Sequence, residues 1–195
     1  MDEFQLLKNN LTQKIPLSDE EFHSISKFFV SKKVKKRKDI LRVGEVCKQL
    51  VFVTKGVLRS YTIDEFGFEK VVLIALESHW ISDLMSFMSG NPSITAIDAI
   101  EDSDVLIISK FDLERIYLEV PKMERFFRKL FENAYIAVLD RYTSVVTENA
   151  EARYKNLLLT RPDIIHRIPQ VYIASYLGVT PETLSRLRKK IMEPN

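Results

Sequence analysis

The twenty residues from Gln170 to Lys189, QVYIASYLGVTPETLSRLRK, constrain the fold most tightly. Two short helices that cross closely need a small residue where their backbones meet. They also need a residue tolerant of positive φ in the turn, and apolar side chains that seal the angle. Ala174, Gly178 and the set Ile173, Leu177, Val179, Leu184 and Leu187 stand at those offsets. Thr180 then serves as N-cap, with Pro181 at the first helical position and Glu182 in the first turn. The pattern predicts a helix-turn-helix.

Upstream, the hydrophobic period changes twice. Residues 1 to about 28 read as helical, with a capping box in which Ser18 caps and Glu21 stands three residues on. From Val30 to Ser109 short runs rich in β-branched and aromatic residues alternate with turn residues. Gln49–Val53, Val57–Ile63, Lys70–Leu76 and Asp104–Ser109 read as strands of a small barrel or roll, with Trp80–Met88 as a short helix inside it. The basic run Lys32, Lys33, Lys35, Lys36, Arg37 and Lys38 reads as an exposed strand edge, where lysines discourage edge-to-edge pairing. From Lys110 to Val146 the period is helical, interrupted near Pro121. Met123, Phe127, Leu130, Ala134, Val138, Tyr142 and Val145 form one continuous stripe, and further apolar residues widen it. A helix of this length that is apolar on more than one side is expected to meet a second copy of itself. Another helix runs from Glu148 to Leu159 and stops before Pro162.

Charge points to the partner of the last segment. The net charge is only +2, but the stretch from Arg153 onward carries eight basic side chains against three acidic ones. A basic terminal module on a near-neutral body suits a polyanion. If the second helix enters a major groove, its outward residues are Thr180, Pro181, Glu182, Ser185, Arg186 and Lys189. Arg186 has the forked donors that pair with guanine O6 and N7, and Glu182 can accept from a cytosine amino group. Arg188, Lys189 and Lys190 are expected to neutralise phosphates, adding affinity without sequence information.

Other chemistries find little to work with. One cysteine, Cys47, allows no internal disulfide, and no CxxC pair exists to hold zinc. No Ser-His-Asp or Cys-His arrangement, glycine-rich phosphate loop or zincin motif occurs, so catalysis is not expected. No metal and no cofactor is expected either. The N-terminus lacks a signal-peptide layout and no apolar run reaches about 18 residues, so a cytoplasmic chain with no membrane partner is expected.

The layout resembles the Crp–Fnr family of bacterial transcription regulators along nearly the whole chain. Gly44-Glu45, Phe52 to Gly56 with the following Val-Leu-Arg, and the Asp64-Glu65-Phe66-Gly67 turn look like turns of that family's sensor. Pro181-Glu182-Thr183-Leu184-Ser185-Arg186 looks like its recognition helix, although Pro181 stands where many members have another polar or basic residue. The resemblance implies an α+β fold. It would comprise an antiparallel β-roll like a cyclic-nucleotide-binding domain (1–110), a long dimerisation helix (111–147) and a C-terminal winged helix-turn-helix (148–195). Asp163–Pro169 is brief for a wing hairpin.

The resemblance also locates an effector pocket, at Ser82, Asp83, Leu84, Ser93, Ile94 and Thr95. Cyclic-nucleotide binders of the family carry Gly-Glu and Arg-(Ser/Thr)-Ala there. This chain has Ser82-Asp83 instead, and no arginine from Trp80 to Val105. A phosphate there lacks its charge-assisted partner, which argues against cyclic AMP. An iron–sulfur sensor needs about four cysteines. The expected partners are pseudo-palindromic double-stranded DNA, a second copy, RNA polymerase and an effector that the sequence does not name. A signal in the roll is expected to act on a hinge near Thr147–Ala150. The competing reading is a sensor that regulates a partner protein through its C-terminal helices.

Overall fold

In the computed structural model, which describes residues 2–192, the chain begins with α1 (Glu3–Thr12) and α2 (Asp19–Ser26). The capping box on α2 is present: Ser18 Oγ accepts from Glu21 N at 3.2 Å, and Ser18 N donates to the Glu21 carboxylate at 2.7 Å. Eight strands follow: β1 (Val30–Val34), β2 (Asp39–Leu41), β3 (Gln49–Lys55), β4 (Leu58–Ile63), β5 (Glu69–Ala75), β6 (Trp80–Ile81), β7 (Ala96–Ala99) and β8 (Ser103–Ser109). The short helix α3 (Leu84–Ser89) lies between β6 and β7, so the expected Trp80–Met88 helix is split into a strand and a helix.

All pairings are antiparallel and form two four-stranded sheets, in the orders β1-β8-β3-β6 and β2-β7-β4-β5. Lys32 and Lys33 lie exposed on β1, an edge strand, whereas Lys35, Lys36, Arg37 and Lys38 of the same run fall in the turn beyond it. The turn from β3 to β4 requires glycine. Gly56 has φ +91°, and a Cβ there would stand 2.3 Å from Ser103 Oγ and 2.8 Å from Asp102 O.

The helical half begins with α4 (Lys110–Glu119) and α5 (Lys122–Thr147), separated at Val120–Pro121. Then come α6 (Ala150–Thr160), α7 (Pro162–Arg167), α8 (Gln170–Leu177) and α9 (Pro181–Met192). Residues 162–167 are helical rather than a wing hairpin, and no strand lies among the described residues beyond Ser109.

Two apolar clusters hold the chain together. The first joins α1, the β3–β8 sheet and the first turns of α5 around Trp80, whose ring lies 5.1–6.3 Å from those of Phe29, Phe52, Phe126 and Phe127. Its indole N–H donates to Asn10 Oδ1 at 3.0 Å, which satisfies the one polar atom brought inside. The second cluster crosses from the roll to the C-terminal helices. Val57, Val71, Ile74, Leu76 and Ile100 pack with Tyr154, Leu157, Ile164, Ile168, Ile173 and Leu177.

Candidate nucleic-acid interface

Helices α8 and α9 meet as the sequence pattern required. Ile173, Ala174, Leu177 and Leu184 are buried between them and their neighbours. Gly178, at φ +69°, ends α8 in the left-handed region, and Val179 N donates back to Ala174 O at 3.0 Å. Thr180 caps α9 by accepting from Thr183 N at 3.2 Å.

The outward side of α9 is a polar face with unequal commitments. Thr180, Pro181, Glu182, Ser185, Arg186 and Lys189 are all exposed, while Arg188 is half-buried. Arg186 makes one contact within the chain, from Nη2 to Thr183 Oγ1 at 3.3 Å, leaving most of its donor fork outward. The Glu182 carboxyl is held below its usual range, first by its own backbone N–H at the helix start, then by the Thr180 hydroxyl and the Arg186 charge. It is therefore an ionised acceptor at neutral pH beside an arginine donor. Lys190 is exposed but engaged: its ammonium lies 2.6 Å from Glu151, which also binds Lys155 at 2.9 Å. Those two lysines, Lys190 foremost, pull the Glu151 carboxyl down to about 2. A phosphate would have to compete with Glu151 for Lys190, whereas Lys189 is exposed beside it.

The residues expected to line an effector pocket come together, and they bind one another. Asp83 caps α3, with Oδ1 accepting from Ser86 N at 3.0 Å. Its Oδ2 accepts from the Ser93 hydroxyl and, at 3.1 Å, from Thr95 Oγ1. Asp83 and Ser93 are buried. Ser82 Oγ donates to Gln49 O at 3.0 Å and also meets Cys47 Sγ. Leu84 packs against the first core, and Ile94 points outward, 60% exposed. Asp83 takes the place of the carboxylate that the resemblance assigns to a ribose hydroxyl, and here it is buried and already met by two hydroxyls of its own chain. A phosphate brought beside it finds no arginine from Trp80 to Val105, and Ile94 stands exposed in the stretch where the resemblance puts one.

The long apolar stripe divides along α5. Met123 and Phe127 are fully buried within their own subunit and Leu130 packs on the same core, so the structure takes these first turns out of any contact with a second copy. Beyond them one face of the helix opens outward, while Arg141 on another face still reaches the backbone of β5. Tyr135, Ile136, Val138, Leu139, Tyr142, Val145 and Val146 are exposed, and Ala134 is half-buried. Phe131, Tyr135, Val138, Tyr142 and Val145 follow alternating steps of four and three, the spacing of a coiled-coil seam.

Sequence reasoning missed a polar set that ties α8 to the roll: Arg59, Arg141, Tyr172 and Ser175. The only trace of it is an arginine inside the otherwise strand-like run VLRSYTI.

No family model matches the chain. Curated relatives do. The fumarate and nitrate reduction regulatory protein of Vibrio cholerae is 26% identical over 185 residues, covering 88% of this chain and 72% of the relative. Among solved structures, FixK2 of Bradyrhizobium japonicum superposes with a TM-score of 0.72 at 20% identity, over 84% of each chain. A putative Crp/Fnr-family transcriptional regulator of Eubacterium rectale gives 0.67 at 22% identity, over 93% of this chain and 88% of the other. Along most of its sequence and in its fold, the chain is similar to regulators of the Crp–Fnr family.

Proposed function

We propose that the protein is a sequence-specific DNA-binding transcription regulator that works as a homodimer and does not depend on cyclic AMP. The observation that carries this is the face of α9. An ionised Glu182 and a largely uncommitted Arg186 lie one helical turn apart, outward on a helix whose inner side is anchored by Leu184. An arginine donor fork beside a carboxylate acceptor can read a guanine and a neighbouring cytosine. The exposed seam from Tyr135 to Val145 supports pairing of two copies, which brings two recognition helices onto successive major grooves about 34 Å apart. The self-satisfied Asp83–Ser93–Thr95 cluster, together with the absence of an arginine from Trp80 to Val105, supports independence from a cyclic nucleotide. RNA polymerase as a further partner rests on the family likeness alone.

The test is selection of genomic fragments by the purified protein without added ligand, at two salt concentrations, alongside Arg186→Ala. The expected result is a two-fold-symmetric motif whose recovery falls with salt, because each phosphate contact releases counterions. Arg186→Ala loses roughly 1–3 kcal/mol of discrimination at one base position per half-site. Binding that is salt-independent, or absent at low salt, refutes the proposal and favours the partner-protein reading.

A further inference from the structure

β5 is the last strand of its sheet, and no strand among the described residues pairs with its outer edge. Side chains from two helices and from the residue that links two others bond to its backbone instead. Val71 N donates to Ser175 Oγ of α8 at 2.9 Å, and the same hydroxyl donates to Glu69 O at 3.2 Å. Arg141 of α5 donates through Nη2 to Val71 O at 3.0 Å and to Tyr176 O of α8 at 2.9 Å. Its Nη1 donates to Val72 O. Strand pairing jumps from Tyr61↔Val71 to Ser60↔Leu73, so Val72 is a bulge residue whose carbonyl is free for that arginine. Arg161, between α6 and α7, reaches Ile74 O at 3.4 Å.

Two further layers support this edge. The second apolar cluster lies across the same junction. Beside it Arg59 is 3% exposed, with its guanidinium 4.0 Å from the Tyr172 ring of α8 and 4.3 Å from that of Tyr61. All of this engages α8 and leaves the outward residues of α9 exposed. A contact that switched off DNA binding would cover Glu182 and Arg186; this one holds the helix behind them.

From this we infer that the free edge of β5 is a rail that fixes the recognition helix on its own roll, with Ser175, Arg141 and Tyr172 as positioning residues that set the half-site separation the dimer accepts. The inference rests on the dimeric DNA-reading function proposed above. Each recognition helix then moves with its roll as one body, and α9 cannot adjust independently about the link between α5 and α6. That link is itself braced, since Arg153 donates to Glu148 O at 2.5 Å and to Leu177 O at 3.2 Å.

The test takes the selected symmetric site and inserts two base pairs between its halves, which turns one half by roughly 70° and moves it about 7 Å. Wild type is expected to lose about a hundredfold in affinity, because both halves can no longer be engaged at once. Ser175→Ala and Arg141→Ala are expected to shrink that loss to within about threefold, while keeping wild-type affinity for a single half-site and a dimeric mass by light scattering. A merely structural role would lower half-site affinity and spacing selectivity together. Variants that fold, dimerise and keep the full spacing penalty overturn the inference. So does fast hydrogen exchange at the Val71 amide in wild-type protein without DNA, a measurement that needs no operator. A wild type that selects no symmetric site overturns the DNA-reading function itself, and is told apart because no variant enters that observation.

Discussion

Arg59 sits on β4 with its guanidinium against both oxygens of Asp98, at 2.7 and 2.9 Å, and 2.6 Å from a Glu69 oxygen. The Glu69 contact is a close ion pair set off the hydrogen-bonding direction, so Nη1 is left without a properly aimed acceptor. Burial opposes the charge, but Asp98 and then Glu69 outweigh it and raise the arginine's pKa. Removing the cation leaves Asp98 buried beside nothing positive. Arg59→Ala is expected to lower stability in urea by about 3–5 kcal/mol, and Arg59→Lys to recover only part, lacking the two-pronged geometry. Gly56→Ala is expected to cost at least about 1–3 kcal/mol in the same assay, because its Cβ meets backbone at Asp102 and Ser103. Glu77 sets a pH dependence. Burial pushes its carboxyl up, but hydrogen bonds from Arg167 and from Gly56 N bring the net value below normal. A carboxyl with a depressed folded pKa contributes stability that is complete above its unfolded value, about 4.3, and lost as pH falls through the folded one. Melting temperature should therefore fall in acid, with a shallower fall in Glu77→Gln. The turn at Gly56 was legible in the sequence, but the Arg59 cluster showed only as an arginine in a strand-like run, since Arg59, Glu69 and Asp98 meet only through the pairing of β4 with β5 and β7.

At the scale of elements, periodicity found what is long and missed what is short. The 26 residues of α5 were visible as a stripe, and so were α8, its glycine turn and α9. β2, β6 and β7 have four residues or fewer, too short for an alternation to show. A stripe also cannot say which partner it faces. The same helical period carries Met123 and Phe127 into their own core and, three turns after Phe127, Val138 and then Tyr142 into the open. The exposed part is where subunit pairing is expected to be sensitive. Val138→Asp or Tyr142→Asp should convert a dimeric mass to a monomeric one in light scattering with no loss of helical signal. Affinity for a full site should then drop about 10²–10⁴-fold, towards that of one half-site.

Across the whole molecule, the second apolar cluster makes roll and C-terminal helices parts of one folding unit. Val71, Ile74 and Leu76 are at most 5% exposed, and each such side chain is stabilised by roughly 1.5–3 kcal/mol when fully buried. Parting the two halves would expose them together. Unfolding followed by the fluorescence of Trp80, the chain's single tryptophan, should coincide with unfolding followed by far-ultraviolet dichroism, which the helices dominate. Two separate transitions would mean that the halves are independently stable. The order of synthesis gives the β5 edge a further meaning. A ribosome completes β5 almost a hundred residues before Ser175, which bonds to it. Until α8 is made, the nascent roll presents a bare strand edge flanked by Val71 and Ile74, open to pairing with a neighbouring chain. Helix α8 thus acts as a late-arriving guard against aggregation, and truncation after α5 should yield a roll that is made but does not stay in solution.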